Sequence, residues 1–321
     1  MNSRHQKTDS SRHTAYHRPR LGRGAFAPRR WPAWALLALL WACAWLPLRV
    51  ARALGAALGL AMLAANRKRR RIARVNLGLC FPELSAPARE RLLRRHFIVS
   101  GQAYLDLGFL AWGSEQRVLR AVKFHGLERY REATRSGRGV ILLVPHSVGF
   151  NFAGALMARH HPLFTMYKPQ RDPLVNWVLD RGRTRFGARL IMREQGMRPV
   201  LRGLKAGEAF FYLADEDYGA ERSVFVPYFG VPTATLPTLG RLAAGGNALV
   251  VPFFASLLPG ARGYEVFLGP PLENFPSGDR LADTARMNRA LEDCIRRAPE
   301  QYMWTFKLFK TRPGGAPSPY A

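Results

Sequence analysis

The segment Gly139-Val-Ile-Leu-Leu-Val-Pro-His-Ser-Val-Gly-Phe-Asn151 decides the fold. Its near-continuous apolar run, Gly139–Pro145, is typical of a strand buried on both faces, and the proline ends that run. His146 follows at the carboxyl end of the strand, where open α/β sheets place their ligands. The segment therefore predicts a buried strand with a titratable residue at the edge of the sheet.

Short apolar runs of this kind alternate with helical patterns through the rest of the chain. The other strand candidates are a run near Val122, Leu163–Tyr167, Glu208–Ala214, Ala248–Phe254 and Tyr264–Gly269. The helical patterns are Leu127–Arg135, Phe150–Arg159, Pro173–Phe186, Met197–Lys205, Leu236–Ala244 and Leu281–Arg297. This alternation predicts an α/β fold in which helices cover a central mixed sheet. Arg71–Trp112 precedes it as a helical region, in which His96 is predicted to be a structural histidine on an apolar face.

Composition narrows the function classes. The chain has 321 residues, of which 48% are hydrophobic, and its three cysteines exclude a disulfide scaffold and lack the spacing of a zinc site. The net charge of +27 requires an acidic partner to be considered. Residues 1–74 carry 16 of the 49 Lys and Arg but only one of the 22 acids, which is Asp9. Because no nucleic-acid recognition motif accompanies this charge, we expect no nucleic-acid partner.

The basic region surrounds an apolar stretch, Trp31–Ala65, that is interrupted by Arg49 and Arg52 and followed by the basic run Asn66–Arg71. We predict an uncleaved membrane anchor over residues 31–65, behind a disordered basic tail at residues 1–30 and ahead of one catalytic domain at residues 66–321. Two arrangements of the anchor stay open: a single tilted span that ends near Arg49, or two helical legs that lie in the plane of the membrane.

Three groups of residues are able to carry chemistry. His146 could take a proton from a hydroxyl while its other ring nitrogen donates to the side chain of Asn151, five residues on. The strand Glu208–Ala214 ends in Asp215, Glu216 and Asp217, and Arg222 is expected to pair with these carboxylates. A third group, Arg181, Arg183 and Arg185, clusters near a helix end as candidate ligands for a phosphate or a carbonyl oxygen.

From about Arg20 to Tyr320 the chain resembles the late acyltransferases of lipid A biosynthesis, of the lauroyl and myristoyl type. The resemblance is carried by the segments Arg74–Ser85, Pro145–Asn151, Met166–Arg185, Leu213–Leu236 and Ala298–Pro313. It implies a glycerolipid acyltransferase-like fold and transfer of an acyl chain from an acyl carrier protein thioester to a hydroxyl of a phosphorylated lipid A precursor. It also implies a bacterial inner-membrane protein with the catalytic domain in the cytoplasm and no metal or organic cofactor.

For the site, the resemblance implies that His146 is the general base and that Arg183 and Asp215 are further site residues. The chain departs from the family at one place: the family has Asp or Glu five residues after the histidine, and this chain has Asn151. A neutral amide orients an imidazole but does not stabilise its cation, and the orienting Asp-to-Asn change in serine proteases costs about 10⁴ in rate. Two alternatives follow: an acyltransferase for another lipid or pigment precursor, and an inactive membrane-bound homologue.

Overall fold

The computed structural model describes residues 21–321. Eleven α-helices lie within these residues: α1 Trp31–Trp45, α2 Leu48–Ala65, α3 Arg67–Cys80, α4 Ala86–Trp112, α5 Glu115–Arg120, α6 Leu127–Arg135, α7 Phe150–Met157, α8 Pro173–Thr184, α9 Arg198–Lys205, α10 Leu239–Gly246 and α11 Arg280–Arg296. The nine strands are β1 Val122–His125, β2 Gly139–Val144, β3 Leu163–Tyr167, β4 Arg189–Met192, β5 Ala209–Leu213, β6 Val224–Tyr228, β7 Val231–Thr235, β8 Ala248–Leu257 and β9 Tyr264–Leu268.

Seven strands form one mixed sheet in the order β1-β9-β8-β2-β5-β3-β4, in which β8 and β9 are antiparallel and the other neighbours are parallel. The decisive strand β2 lies in the middle, and all six of its residues are buried. The predicted α/β class with a mixed central sheet is confirmed, and each of the six predicted strands is present. The short edge strand β4 and the antiparallel hairpin β6–β7 were not predicted, and Pro227 lies opposite Pro232 in that hairpin.

Helices α1 and α2 lie against α4. Helices α2 and α4 run antiparallel and in close contact, since a Cβ atom added to Gly55 would lie 2.5 Å from the backbone of Gln102. A Cβ atom added to Gly59 would lie 2.2 Å from the carbonyl oxygen of Phe97. Small residues thus let the two helix backbones approach, as they do in helix pairs within membranes.

A buried polar cluster joins the same helices to the sheet. Arg52 of α2 forms an ion pair with Asp106 of α4, and the hydroxyl of Tyr264 in β9 donates to the same carboxylate. Buried charges are tolerated where they are paired and hydrogen-bonded. Arg52, which interrupts the apolar pattern in the sequence, is therefore the residue that fixes the apolar helix to the domain.

The outward face of these helices is apolar. Large exposed side chains on α1 and α2 are Trp31, Leu36, Leu39, Trp41, Trp45, Val50, Leu54, Leu58 and Leu60. Among residues 21–321, α2 alone is long and apolar enough to cross a membrane, and 22% of that stretch is buried. Helix α1 ends before Pro47 and spans about 22 Å at 1.5 Å per residue, short of the roughly 30 Å hydrocarbon core.

The predicted tail is described only in part. Residues 1–20 lie outside the described residues, whereas Arg23–Phe26 and Pro28–Arg30 form two 3₁₀ turns. Ala25 is buried and its carbonyl oxygen accepts a hydrogen bond from the indole N–H of Trp34 at 2.8 Å. This end of the tail therefore packs on α1.

Gly59→Ala tests the close contact between α2 and α4. We expect the variant to lower the free energy of unfolding by about 1–3 kcal/mol, because the new methyl group has to push the backbone at Phe97 away. The measurement is denaturant unfolding of the full chain in detergent. Gly78→Ala in α3 is the control, since its Cβ atom meets no other atom within 4 Å. This substitution should raise the free energy of unfolding by about 0.5–1 kcal/mol. Equal effects of the two substitutions would contradict the close contact.

Candidate active site

The loop after β2 is held in place by the C-terminal segment. The amide of Met303 donates to the carbonyl oxygen of His146 at 2.9 Å, and the amide of Val148 donates to that of Gln301 at 2.8 Å. The side chain of Gln301 bonds both the amide and the carbonyl oxygen of Leu257 at the end of β8. The amide of Val148 is therefore not a free donor in this loop.

Strand register brings His146 and Asp215 together. Val144 at the end of β2 lies opposite Leu213 at the end of the parallel strand β5, and each functional residue stands two positions further along. The carboxylate of Asp215 accepts the backbone N–H of His146 at 2.8 Å with one oxygen and faces the ring Nδ1 at 2.5 Å with the other. Because an ionised carboxylate only accepts hydrogen bonds, Nδ1 carries the proton and Nε2 of the neutral ring presents its lone pair.

The two buried groups shift the pKa values of each other. Burial by itself would lower the pKa of His146, but the charge and hydrogen bond of Asp215, with a contribution from Glu216, outweigh it and raise the pKa. Burial would raise the pKa of Asp215, yet the imidazole charge and its hydrogen bonds lower it. A proton taken up at Nε2 is therefore stabilised by a carboxylate that stays ionised.

Glu216 lies on the Nε2 side of the ring, with its nearer oxygen 3.8 Å from that nitrogen. Its other oxygen pairs with Arg193 at 3.2 Å and accepts the hydroxyl of Tyr218 at 2.5 Å. Arg222, which the sequence analysis expected to pair with these carboxylates, forms no ion pair with any residue between 21 and 321. Arg193 pairs with Glu216 instead. Arg193 directly follows β4, which lies beside β3, and its side chain reaches the loop after β5.

Asn151 lies in the first turn of α7, and its side chain contacts α8 instead of the imidazole. The side-chain oxygen of Asn151 accepts a hydrogen bond from Nε of Arg183 at 2.8 Å. Burial lowers the pKa of Arg183, an effect opposed by the charge of Asp180. The expected contact between Asn151 and His146 is thus corrected: Asp215 occupies the Nδ1 side of the ring, and the amide holds the guanidinium without adding a charge.

A cleft of about 270 Å³ begins beside this group and runs along α4. Its apolar wall is formed by Met62, Phe97, Ala103, Leu107, Phe150 and Phe306. Asn151 lines the cleft, and the rings of Phe150 and Phe306 stand edge-on to His146 at centroid distances of 5.5 and 5.1 Å. The neutral, buried His96 also lines it, with Nδ1 3.1 Å from the carbonyl oxygen of Glu300 and a pKa lowered by burial to about 4. The apolar wall of this cleft suits an aliphatic chain.

The candidate residues thus form two pairs, His146 with Asp215 and Asn151 with Arg183. The loop that joins β2 to α7 lies between them. Sequence reasoning missed Arg193 and Phe306. Phe306 lies in a segment that carries the family resemblance, so that segment was the available signal, whereas Arg193 follows β4, which was not among the predicted strands. Arg181 and Arg185 instead donate to carbonyl oxygens of Ala111 and Leu110 at the end of α4.

A histidine–carboxylate pair at the carboxyl edge of a mixed sheet, next to a cleft with an apolar wall, forms a candidate active site for a substrate that carries an aliphatic chain. Comparison with known proteins specifies the family. Residues 23–311 match the family model described as bacterial lipid A biosynthesis acyltransferase, and the chain belongs to this family.

Curated relatives agree with this assignment. The chain is 33% identical over 303 residues to a lipid A biosynthesis lauroyltransferase of Escherichia coli, covering 94% of this chain and 99% of the relative. It is 34% identical over 294 residues to a lipid A biosynthesis myristoyltransferase of the same organism, covering 91% of each. A lipid A biosynthesis acyltransferase of Haemophilus influenzae is 34% identical over 289 residues, covering 90% of each.

The contact between His146 and Asp215 predicts a titration result. In Asp215→Asn the imidazole keeps its buried position but loses the carboxylate, so we expect its pKa to fall below the ordinary value of about 6.5. Asn151→Ala should leave the pKa unchanged because Asn151 does not touch the ring. The measurement is the pH titration of the His146 ring resonances by NMR. A fall in Asn151→Ala with none in Asp215→Asn would reverse the two assignments.

Proposed function

We propose that this lipid A biosynthesis acyltransferase transfers a fatty acyl chain from an acyl carrier protein thioester to a hydroxyl of a phosphorylated lipid A precursor. His146 is the general base of the reaction, and Asp215 is its orienting carboxylate. The contact that carries this proposal is that of Nδ1 with Asp215 at 2.5 Å, beside an apolar cleft. It supports an active enzyme over an inactive homologue, because the imidazole has a carboxylate despite the amide at position 151.

The tautomer of His146 determines the path of the proton in the proposed reaction. Nε2 takes the proton of the acceptor hydroxyl while the hydroxyl oxygen forms a bond to the thioester carbonyl carbon. Asp215 stabilises the imidazolium that forms. The tetrahedral intermediate then breaks its C–S bond, and the imidazolium returns the proton to the leaving sulfur. One C–O bond forms, one C–S bond breaks, and the histidine ends neutral, so the residues of this chain complete the reaction without a further reactant.

Arg183 stabilises the negative oxygen in this scheme. The neutral amide of Asn151 fixes its Nε and leaves the positive charge uncompensated at that contact. A fixed charge in a site with little water stabilises a developing oxyanion more strongly than the same charge in water does. Asn151 is therefore a positioning residue of the guanidinium in this proposal.

The donor and the location belong to the same proposal. The domain after residue 74 carries 33 basic and 21 acidic residues, an excess that favours an acidic protein donor such as acyl carrier protein. The exposed apolar face of α1 and α2 supports an anchor in the bacterial inner membrane, with the catalytic domain in the cytoplasm. Because both helices lie along α4, the anchor keeps the cleft at the membrane surface, where its lipid acceptor lies.

His146→Ala tests the function directly. We expect it to abolish acyl transfer, because Nε2 of His146 is the proposed proton acceptor, whereas the exposed His125→Ala should retain full activity. The measurement is mass spectrometry of a lipid A precursor incubated with acyl carrier protein thioesters, and with acyl-CoA as the comparison donor. Full activity of His146→Ala would overturn the mechanism, and equal use of both donors would remove the carrier protein from the proposal.

Two substitutions of Asn151 separate charge from hydrogen bonding. Asn151→Asp keeps an acceptor for Arg183 but pairs its charge, and we expect kcat to fall about tenfold or more, or roughly 1.4 kcal/mol. Asn151→Ala removes the hydrogen bond and keeps the charge free, so its loss should be smaller. The measurement is kcat for both variants under saturating substrates. A rise in kcat for Asn151→Asp would mean that the carboxylate serves the imidazole, and a larger loss in Asn151→Ala would mean that position outweighs charge.

A further inference from the structure

A concentration of positive charge lies where the apolar helix α2 ends. Helix α3 begins with Arg67, Lys68, Arg69 and Arg70, here called the basic turn, and its first turn contains no acidic residue. A helix N-terminus carries a partial positive charge, so acidic side chains are usual there and cations are unfavourable. The sequence thus adds cations to an end that is already positive.

Two guanidinium groups of this turn contact backbone carbonyl oxygens. Arg69 donates to the carbonyl oxygen of Thr305 at 2.8 Å, and Arg70 donates to that of Leu63 at 2.9 Å. Between residues 21 and 321, no carboxylate forms an ion pair with any side chain of the basic turn. The carbonyl contacts hold the guanidinium groups in place and leave their charge available to an anion.

One residue of the basic turn, Arg69, lines the cleft that also reaches the loop after His146. Asn66 and Arg69 line the cleft at the α2–α3 junction, and Asn151 lines it near the catalytic loop. One face of α4 forms the floor between them, from His96 to Leu107. At 1.5 Å per residue this floor is about 16 Å long. A molecule that lies in the cleft with its apolar part on α4 can therefore reach both Arg69 and the loop that carries His146.

Membrane geometry specifies the kind of anion. Exposed leucines 54, 58 and 60 mark the lipid-facing side of α2, and the basic turn begins two residues after the helix ends at Ala65. Cations that directly follow an apolar membrane segment lie at the level of the lipid headgroups. An anion at that depth belongs to a lipid in the same bilayer.

We propose that the basic turn binds a phosphate group of the acceptor glycolipid and so sets how far the acceptor hydroxyl lies from His146. This inference rests on the proposed function, of which it specifies the acceptor site. Guanidinium groups suit the role because they contact phosphate oxygens through two parallel N–H donors.

The test uses the full-length protein and nanodiscs of phosphatidylcholine that contain a lipid A precursor, either intact or treated with phosphatase. In Arg69→Gln/Arg70→Gln each glutamine keeps an N–H donor for Thr305 or Leu63 but removes the charge. Arg129→Gln/Arg135→Gln on α6 is the matched control, since it removes two exposed charges away from the cleft. Binding to the discs and the KM and kcat of acyl transfer are measured for each protein.

We expect the basic-turn variant to bind intact precursor about tenfold more weakly or worse, with a matching rise in KM and kcat within twofold. Binding to phosphatase-treated discs, and all values for the control, should be unchanged. Equal weakening on both kinds of disc, equal weakening in the control, or a rise in KM for the thioester alone would each overturn the assignment. If the wild-type protein binds intact precursor in this phosphate-dependent way but transfers no acyl group, the proposed function fails and the phosphate site stands.

Discussion

The carboxylate of Asp215 connects two neighbouring strands at the carboxyl edge of the sheet. One oxygen holds the backbone and the other holds the ring of a single residue, His146, so that the position and the tautomer of the imidazole are fixed by one side chain. This contact depends on the parallel register of β2 and β5. Val144 lies opposite Leu213, and His146 and Asp215 each follow two residues later, so the two side chains lie next to each other. A one-residue slip would turn the side chains to opposite faces and separate them.

The same arrangement explains how the site accommodates its charges. The imidazole and the carboxylate are both buried, and each shifts the pKa of the other in the direction that keeps the pair ionised. Nε of Arg183 donates to the neutral amide of Asn151, so this contact does not neutralise the charge of the guanidinium group. In the proposed mechanism the carboxylate of Asp215 stabilises the protonated imidazole, and the guanidinium group of Arg183 stabilises the oxyanion. Asn151 keeps these two tasks separate, because an acid at that position would pair with the guanidinium.

The N-terminal helices form part of the cleft as well as the exposed apolar face. Helix α2 supplies one wall of the cleft through Met62, while Arg52 ties it to α4 and, through Asp106, to Tyr264 in the sheet. Close backbone contact at the glycines leaves little freedom between α2 and α4. The apolar face that would meet lipid and the cleft that leads to His146 are therefore held in a fixed relation.

Local sequence patterns determined the alternation of strands and helices, the buried strand β2 and the position of His146 at its end, because each of these depends on residues that are close in the chain. They also marked Asp215, Asn151 and Arg183 as members of one site through the family resemblance. The partner of each was decided only by the tertiary structure. Asp215 is 69 residues from His146, and Arg183 is 32 residues from Asn151, so no local spacing could assign them. Arg52 looked like an interruption of an apolar segment for the same reason, since its partner Asp106 is 54 residues away and only the packing of α2 on α4 brings them together.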